Sequence, residues 1–132
     1  MILLDTHIWL WWLSGDNLIS SDERQALDQY ALRNELCISS ITIWEVEILD
    51  RKGKLSFSPN FELWMQKILN IDSFKILPIQ TDVIMAQRSL PEDFHGDPAD
   101  RLIAATSIKT GNPLATKDQR IIDSGACEIW NI

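Results

Sequence analysis

With 132 residues, 45% hydrophobic and 23% charged, the chain has the length and composition of one globular domain with a real core. Its formal net charge of −7 argues against a simple basic grip on nucleic acid, yet leaves room for a nuclease, because carboxylates that hold metal ions add to the negative total. No apolar run approaches membrane-span length, no basic leader opens the chain, and Cys37 and Cys127 read as buried small hydrophobes of a reducing cytoplasm.

Ile2-Leu3-Leu4 is a continuous apolar block, suited to a strand covered on both faces. Asp5-Thr6 follows it. Residues 7–13 then read as a short, very apolar helix stopped near Ser14-Gly15-Asp16. Ser20, with Glu23 three residues on, forms a capping-box signature and opens a helix to about Asn34. Residues 36–39 are a second strand, after which Ser39 or Ser40 caps a helix from Ile41 to about Lys52, with Gly53 as its stop. Pro59 opens a helix with Phe61, Trp64, Met65 and Ile68 on one stripe. Residues 74–77 are a third strand, ended by Pro78, and Thr81 caps a helix to about Leu90. Past a loop at 91–96, Asp97 is a good N-cap, Pro98 suits the first helical position, and Gly111 is a plausible stop. Residues 113–116 are a fourth strand, a helical turn lies near Ile121-Ile122, and residues 127–130 are a last strand. Short strands alternating with helices over residues 1–132 predict a single α/β domain with a mainly parallel sheet. Such sheets bind ligands beyond the carboxyl ends of their strands, where strand order reverses.

Carboxylates recur at those places. Asp5 directly follows the first strand and Asp118 the fourth; either alone reads equally well as a helix cap or turn residue. Glu45 falls inside an apolar stripe of Ile41, Trp44, Ile48 and Leu49, so it needs a partner or sits at the stripe's edge. Asp100 shares a face with Ile103, Ala104 and Ser107 on a helix with no charge from Leu102 to Ile108. Two like charges 4 Å apart repel by ~4 kcal/mol at an effective dielectric near 20, so four converging acids need a cation or must in part stay protonated. An all-oxygen donor set suits Mg²⁺ or Mn²⁺, whereas His7 and His95 lack zinc spacing and no paired cysteine motif exists. Such ions orient and acidify water and stabilise charge on phosphate, which is phosphodiester hydrolysis.

Leu3-Leu4-Asp5-Thr6-His7-Ile8-Trp9, Ser39-Ser40-Ile41-Thr42-Ile43-Trp44-Glu45, His95-Gly96-Asp97-Pro98-Ala99-Asp100-Arg101-Leu102-Ile103-Ala104-Ala105 and Ala115-Thr116-Lys117-Asp118, in this order and spacing, closely resemble the PIN-domain ribonucleases, specifically the VapC-like toxins of type II toxin–antitoxin systems. The resemblance implies a three-layer α/β/α sandwich, Mg²⁺- or Mn²⁺-dependent RNA cleavage, and inhibition by a cognate VapB-like antitoxin. It makes Asp5, Glu45, Asp100 and Asp118 the acidic site, with Asp5 and Asp100 the direct ligands. Thr6 and Thr116 would orient carboxylates or water. Asp97 matches a family position too, with N-cap its favoured role.

The run Trp11-Trp12-Leu13 cannot face one way on a helix, so some of it is expected to meet a second subunit, giving a homodimer, or an inhibitor peptide. Trp9 and Trp44 are expected in the core. Arg101 and Lys117 are candidates for substrate phosphate, as are Arg51 and Lys52, which with Lys54 read equally as helix-end solubility charges. An acidic cleft also suits a basic antitoxin tail that inserts an arginine. Competing readings are a PIN-fold DNA nuclease, a binding-only PIN fold, and a receiver-like signalling module. A lone acid after the first strand and a glutamate on a helix weigh against the last.

Overall fold

The computed structural model describes residues 1–131; Ile132, the final residue of the predicted domain, lies outside the described residues. Three consecutive apolar residues form β1 (Ile2–Leu4), buried throughout. It lies between β2 (Leu36–Ser39) and β4 (Leu114–Ala115), with β3 (Lys75–Leu77) beyond β2, in the order β3-β2-β1-β4. Every pairing is parallel, and Leu3 stands opposite both Cys37 and Leu114. Strand alternation divides the core in two. Ile2, Leu4, Leu36, Ile38 and Ala115 face one cluster, Leu3, Cys37 and Leu114 the other.

The first cluster is closed by α1 (Thr6–Ser14), α2 (Ser21–Leu32) and α4 (Phe61–Leu69), through Trp9, Leu27 and Met65. The second is closed by α6 (Pro98–Thr110) and α7 (Gln119–Ser124), through Ile103, Ala104 and Ile121. Between them, α3 (Ser40–Arg51) sends Val46 to the first and Ile41 against the second. The sheet is therefore covered on both faces, as the three-layer expectation required. The chain steps outward from β1 to β2 and β3, then returns to set β4 on the other side of β1. That reversal opens a crevice at the carboxyl ends of β1 and β4.

Local chemistry fixes the helix ends. Ser20 and Glu23 form a reciprocal capping box on α2. Asp97 caps α6, with Pro98 in its first turn, and Gly111 ends that helix in the left-handed region at φ 72°.

Several elements differ from the sequence expectation. The helix predicted from Pro59 starts at Phe61, because Asn60 caps it through Leu63 N–H. The one predicted over 81–90 divides into α5 (Thr81–Ala86) and a single 3-10 turn at Gln87–Ser89. The predicted last strand is reduced to one parallel bridge between Ile129 and Leu114. Trp44, expected in the core, is 51% exposed, because the packed face of α3 runs through Thr42 and Val46 and not through the Ile41–Trp44–Ile48 stripe. Cys37 is buried and Cys127 half-buried, both as free thiols.

Candidate active site

The crevice at the strand reversal is a cleft of about 400 Å³ lined by Asp5, Glu45, Asp97, Asp100 and Asp118, with His7, Trp11, Lys117 and Arg120 around them. Asp5 comes from the end of β1 and is only 6% exposed. Both of its carboxylate oxygens are held: Thr6 N–H donates to Oδ1 at 2.8 Å and Thr116 Oγ1–H to Oδ2 at 2.6 Å. Thr116 also accepts from Asp118 N–H at 3.1 Å, so one hydroxyl ties the ends of β1 and β4 together. Burial pushes the Asp5 carboxyl above its ordinary range, and the nearby Asp100 charge adds to the rise.

Glu45 enters from the first half of α3. Its carboxylate accepts from Thr6 Oγ1–H, and Thr6 Oγ1 lies 3.0 Å from Thr42 Oγ1. Burial, with the charges of Asp100, Asp5 and Asp97, raises Glu45 to about 7. Asp97 and Asp100 come from the start of α6, where Asp97 Oδ1 accepts Asp100 N–H at 3.0 Å. Asp100 Oδ2 lies 2.6 Å from His95 Nε2 and 3.7 Å from Arg120. Its carboxyl is nonetheless raised, because desolvation outweighs the histidine bond. Asp118 caps α7 and is lowered, first by the Arg120 side chain, whose guanidinium is 3.0 Å away.

Two sets of donor atoms lie within 4.8 Å of one another: Glu45 with Asp97 and Asp100, and His95 with Asp100 and Asp118. Asp5 is in neither set, although it lines the same cleft. Asp97, read mainly as a cap, is both the cap of α6 and a member of the first set.

The candidate phosphate-binding cations divide. Lys117 stands at the rim, 2.9 Å from Glu23 of α2. Arg101 points away from the cleft: it donates to Gln87 Oε1 at 3.0 Å and to the Phe94 carbonyl, packing over the Phe94 ring. Its place four residues after the cap turns it toward the 3-10 segment. Arg51 and Lys52 lie at the far end of α3, outside the cleft, with Arg51 paired to Glu47 at 2.9 Å. Sequence reading passed over Arg120, whose only signal was its place two residues after Asp118, where helix-start geometry returns a side chain to its cap. It passed over the Thr6–Thr42 hydroxyl pair as well, which links residues 36 apart in the chain.

Residues 2–125 match the PIN domain family. The chain belongs to that family. This PIN domain is 32% identical over 120 residues to Ribonuclease VapC22 of Mycobacterium tuberculosis, the match covering 91% of this chain and 88% of that protein. Two solved structures share its fold. One is VapBC2 from Rickettsia felis bound to a DNA fragment from their promoter, at TM-score 0.72 and 20% identity, covering 99% of this chain and 98% of that one. The other is FitAcB from Neisseria gonorrhoeae, at TM-score 0.70 and 23% identity, covering 99% and 97%. No helix among the described residues is long and apolar enough to cross a membrane.

Proposed function

We propose that this PIN domain is a Mg²⁺- or Mn²⁺-dependent endoribonuclease acting as the toxin of a toxin–antitoxin pair. The observation that carries the reading is the meeting of Glu45, Asp97 and Asp100 oxygens within 4.8 Å beside a buried, doubly hydrogen-bonded Asp5. The kinship with Ribonuclease VapC22 supplies the substrate class.

The donor set fits a hard dication. It is all oxygen apart from His95, and burial, with the neighbouring acids adding to it, already raises Asp5, Glu45 and Asp100. Asp5 and Asp100 would hold the ion, with Glu45 and Asp118 completing the site directly or through water and Asp97 within reach. When bound, the ion supplies an acidified water and charge stabilisation on the phosphate. The chain's own groups do the rest. Thr6 N–H and Thr116 fix the Asp5 carboxylate in one orientation. Thr6 Oγ1 aims Glu45, which orients the attacking water on the α3 side. Lys117 and Arg120, at the rim, meet the phosphate oxygens of the incoming strand.

The test is cleavage of total RNA with Mg²⁺, with EDTA, and by the Asp100→Ala and Asp5→Ala variants. Cleavage by the wild type with Mg²⁺ alone is expected. Cleavage of single-stranded DNA but not RNA by the same preparation would replace this reading with the DNA-nuclease one.

The partner we propose is a VapB-like antitoxin with a basic tail that places an arginine among the carboxylates, where Arg120 already shows a guanidinium accommodated. Antitoxin affinity unchanged in an Asp5→Ala, Asp100→Ala double variant rejects that docking mode. We further propose a homodimer, since Trp44 exposes half its surface one residue from Glu45; sedimentation of the free toxin decides it.

A further inference from the structure

We infer that His7 and Trp11 form a nucleobase-stacking subsite, and that the RNA strand leaving the acidic cleft runs over them into a second groove. The inference rests on the ribonuclease reading above.

The start of α1 lies at Asp5, so the side chains of its exposed face project straight into the mouth of the cleft. His7 and Trp11 are four residues apart, hence on one face and about 6 Å apart along the axis. Their ring centroids are 5.8 Å apart. Both rings line the acidic cleft, and both also line a groove of about 840 Å³ bounded by α1, α4 and residues 54–58. They form the common edge of the two cavities, which a strand passing from one to the other must cross.

The adjacent tryptophan behaves differently. Trp12 Nε1–H donates to Asp28 of α2 at 2.9 Å, away from the cleft. Trp11 is held in place from behind. Arg24 donates to the carbonyls of Trp11 at 3.1 Å, Trp12 at 2.9 Å and Asp16 at 2.6 Å, which fixes the end of α1 before any ligand arrives. A backbone fixed in this way needs little further ordering on binding.

The groove itself suits a nucleotide. Phe57 and Trp64 offer aromatic surface, Ser56 and Ser58 offer hydroxyls, and Lys54 places a cation there that forms no salt bridge among the described residues. Asp16 lines the groove as well, its Oδ1 accepting from Leu18 N–H at 2.9 Å; Lys54, which pairs with no carboxylate among the described residues, is the group there that complements a phosphate. Stacking on aromatic rings is tolerant of base identity, and removing one platform ring weakens single-strand binding by about 5- to 150-fold.

The experiment measures binding of a labelled single-stranded RNA oligonucleotide to the full chain with Ca²⁺ in place of Mg²⁺, intact RNA being verified on a gel. A set of oligonucleotides carrying one abasic position each is measured beside it, together with Mn²⁺ affinity. Trp11→Ala is expected to bind RNA 5- to 150-fold more weakly and Trp11→Phe within about 3-fold of wild type, with Mn²⁺ affinity unchanged in both. One abasic position is expected to weaken the wild type by a similar factor and to leave Trp11→Ala unaffected. Wild-type RNA affinity in Trp11→Ala, indifference of the wild type to every abasic position, or a defect in Trp11→Ala confined to antitoxin binding overturns the subsite while the ribonuclease reading stands. A wild type that binds Mn²⁺ but neither binds nor cleaves RNA overturns both.

Discussion

Thr116→Val isolates the hydroxyl that joins the ends of β1 and β4. The substitution keeps the side chain's shape and deletes one O–H. Asp5 Oδ2 then loses its 2.6 Å donor while the residue stays 6% exposed, and Asp118 N–H loses its 3.1 Å acceptor. Stranding a buried charged acceptor costs about 1.5–3 kcal/mol; the Asp118 N–H is nearer solvent and adds less than about 1 kcal/mol. The expected total is about 2–3 kcal/mol, a large share of the ~5–15 kcal/mol that holds a domain folded. The loss also depends on pH. Burial already raises Asp5, and the Thr116 bond opposes that rise, so the variant's Asp5 is raised further. An acid whose folded value is raised contributes stability that is intact below its unfolded value and lost as pH climbs through the folded one. The deficit is therefore greater at pH 8 than at pH 5. Urea denaturation in EDTA at both pH values measures it, with Thr116→Ser as the restoring control. A deficit under about 0.5 kcal/mol, or one equal at the two pH values, would refute the assignment of Thr116 as the donor that opposes the rise of the Asp5 carboxyl.

Glu45, raised to about 7 chiefly by burial, makes the metal-free protein less stable as pH rises from about 4.5 through 7; discounted for its partial exposure the effect is about 1–2 kcal/mol. Glu45→Gln flattens that slope in thermal melts, and Mn²⁺ restores more stability to the wild type at pH 8 than at pH 5. Arg120, 65% exposed and 3.0 Å from Asp118, competes with any dication for the same carboxylates, so Arg120→Ala tightens Mn²⁺ binding by about 2- to 5-fold in calorimetry, with Arg120→Lys between. Arg24→Ala releases three carbonyls at the end of α1 and lowers stability by about 1–2 kcal/mol in urea titration, while Arg24→Lys recovers only part of it.

The sheet and its helices were readable because each strand is a short apolar block and most helices carry explicit punctuation, such as the Ser20–Glu23 box or Asp97-Pro98 with Gly111. The failures have local causes. Residues 127–130 look like a strand, but only Ile129 finds a partner, since β4 itself spans two residues. On α3 the apolar stripe pointed to Trp44, yet the helix buries Thr42, because a threonine hydroxyl there meets Thr6 across the sheet end. Periodicity counts apolar residues and has no means of detecting a polar contact made 36 residues away. Glu45, expected to need a partner or to sit at the stripe's edge, meets the Thr6 hydroxyl and lies near the charges of Asp100, Asp5 and Asp97. Arg101 and Arg120 show the same limit. Each lies within two residues of an acid in sequence, and only helix geometry decides that one turns toward Phe94 and the other toward Asp118.

For Asp5 and Asp118, sequence left helix cap and cleft carboxylate as rivals, and for Asp97 it preferred the cap; the structure makes them compatible. Asp5 caps α1, Asp97 caps α6 and Asp118 caps α7, while all three line one cleft. A cap uses one carboxylate oxygen on backbone N–H groups and leaves the other for a different partner, as Oδ1 and Oδ2 of Asp5 divide between Thr6 N–H and Thr116. Three helix N-termini thereby converge on the acids, each presenting unsatisfied N–H groups and the positive end of its peptide dipoles. That partial positive charge offsets some of the repulsion among the carboxylates. Together with the Thr116 hydroxyl it offsets part of the cost of burying Asp5, although burial still raises the proton affinity of Asp5, Glu45 and Asp100. The residue types that punctuate helices are thus the same ones that build the site, and the sheet's reversal brings their helices to one point.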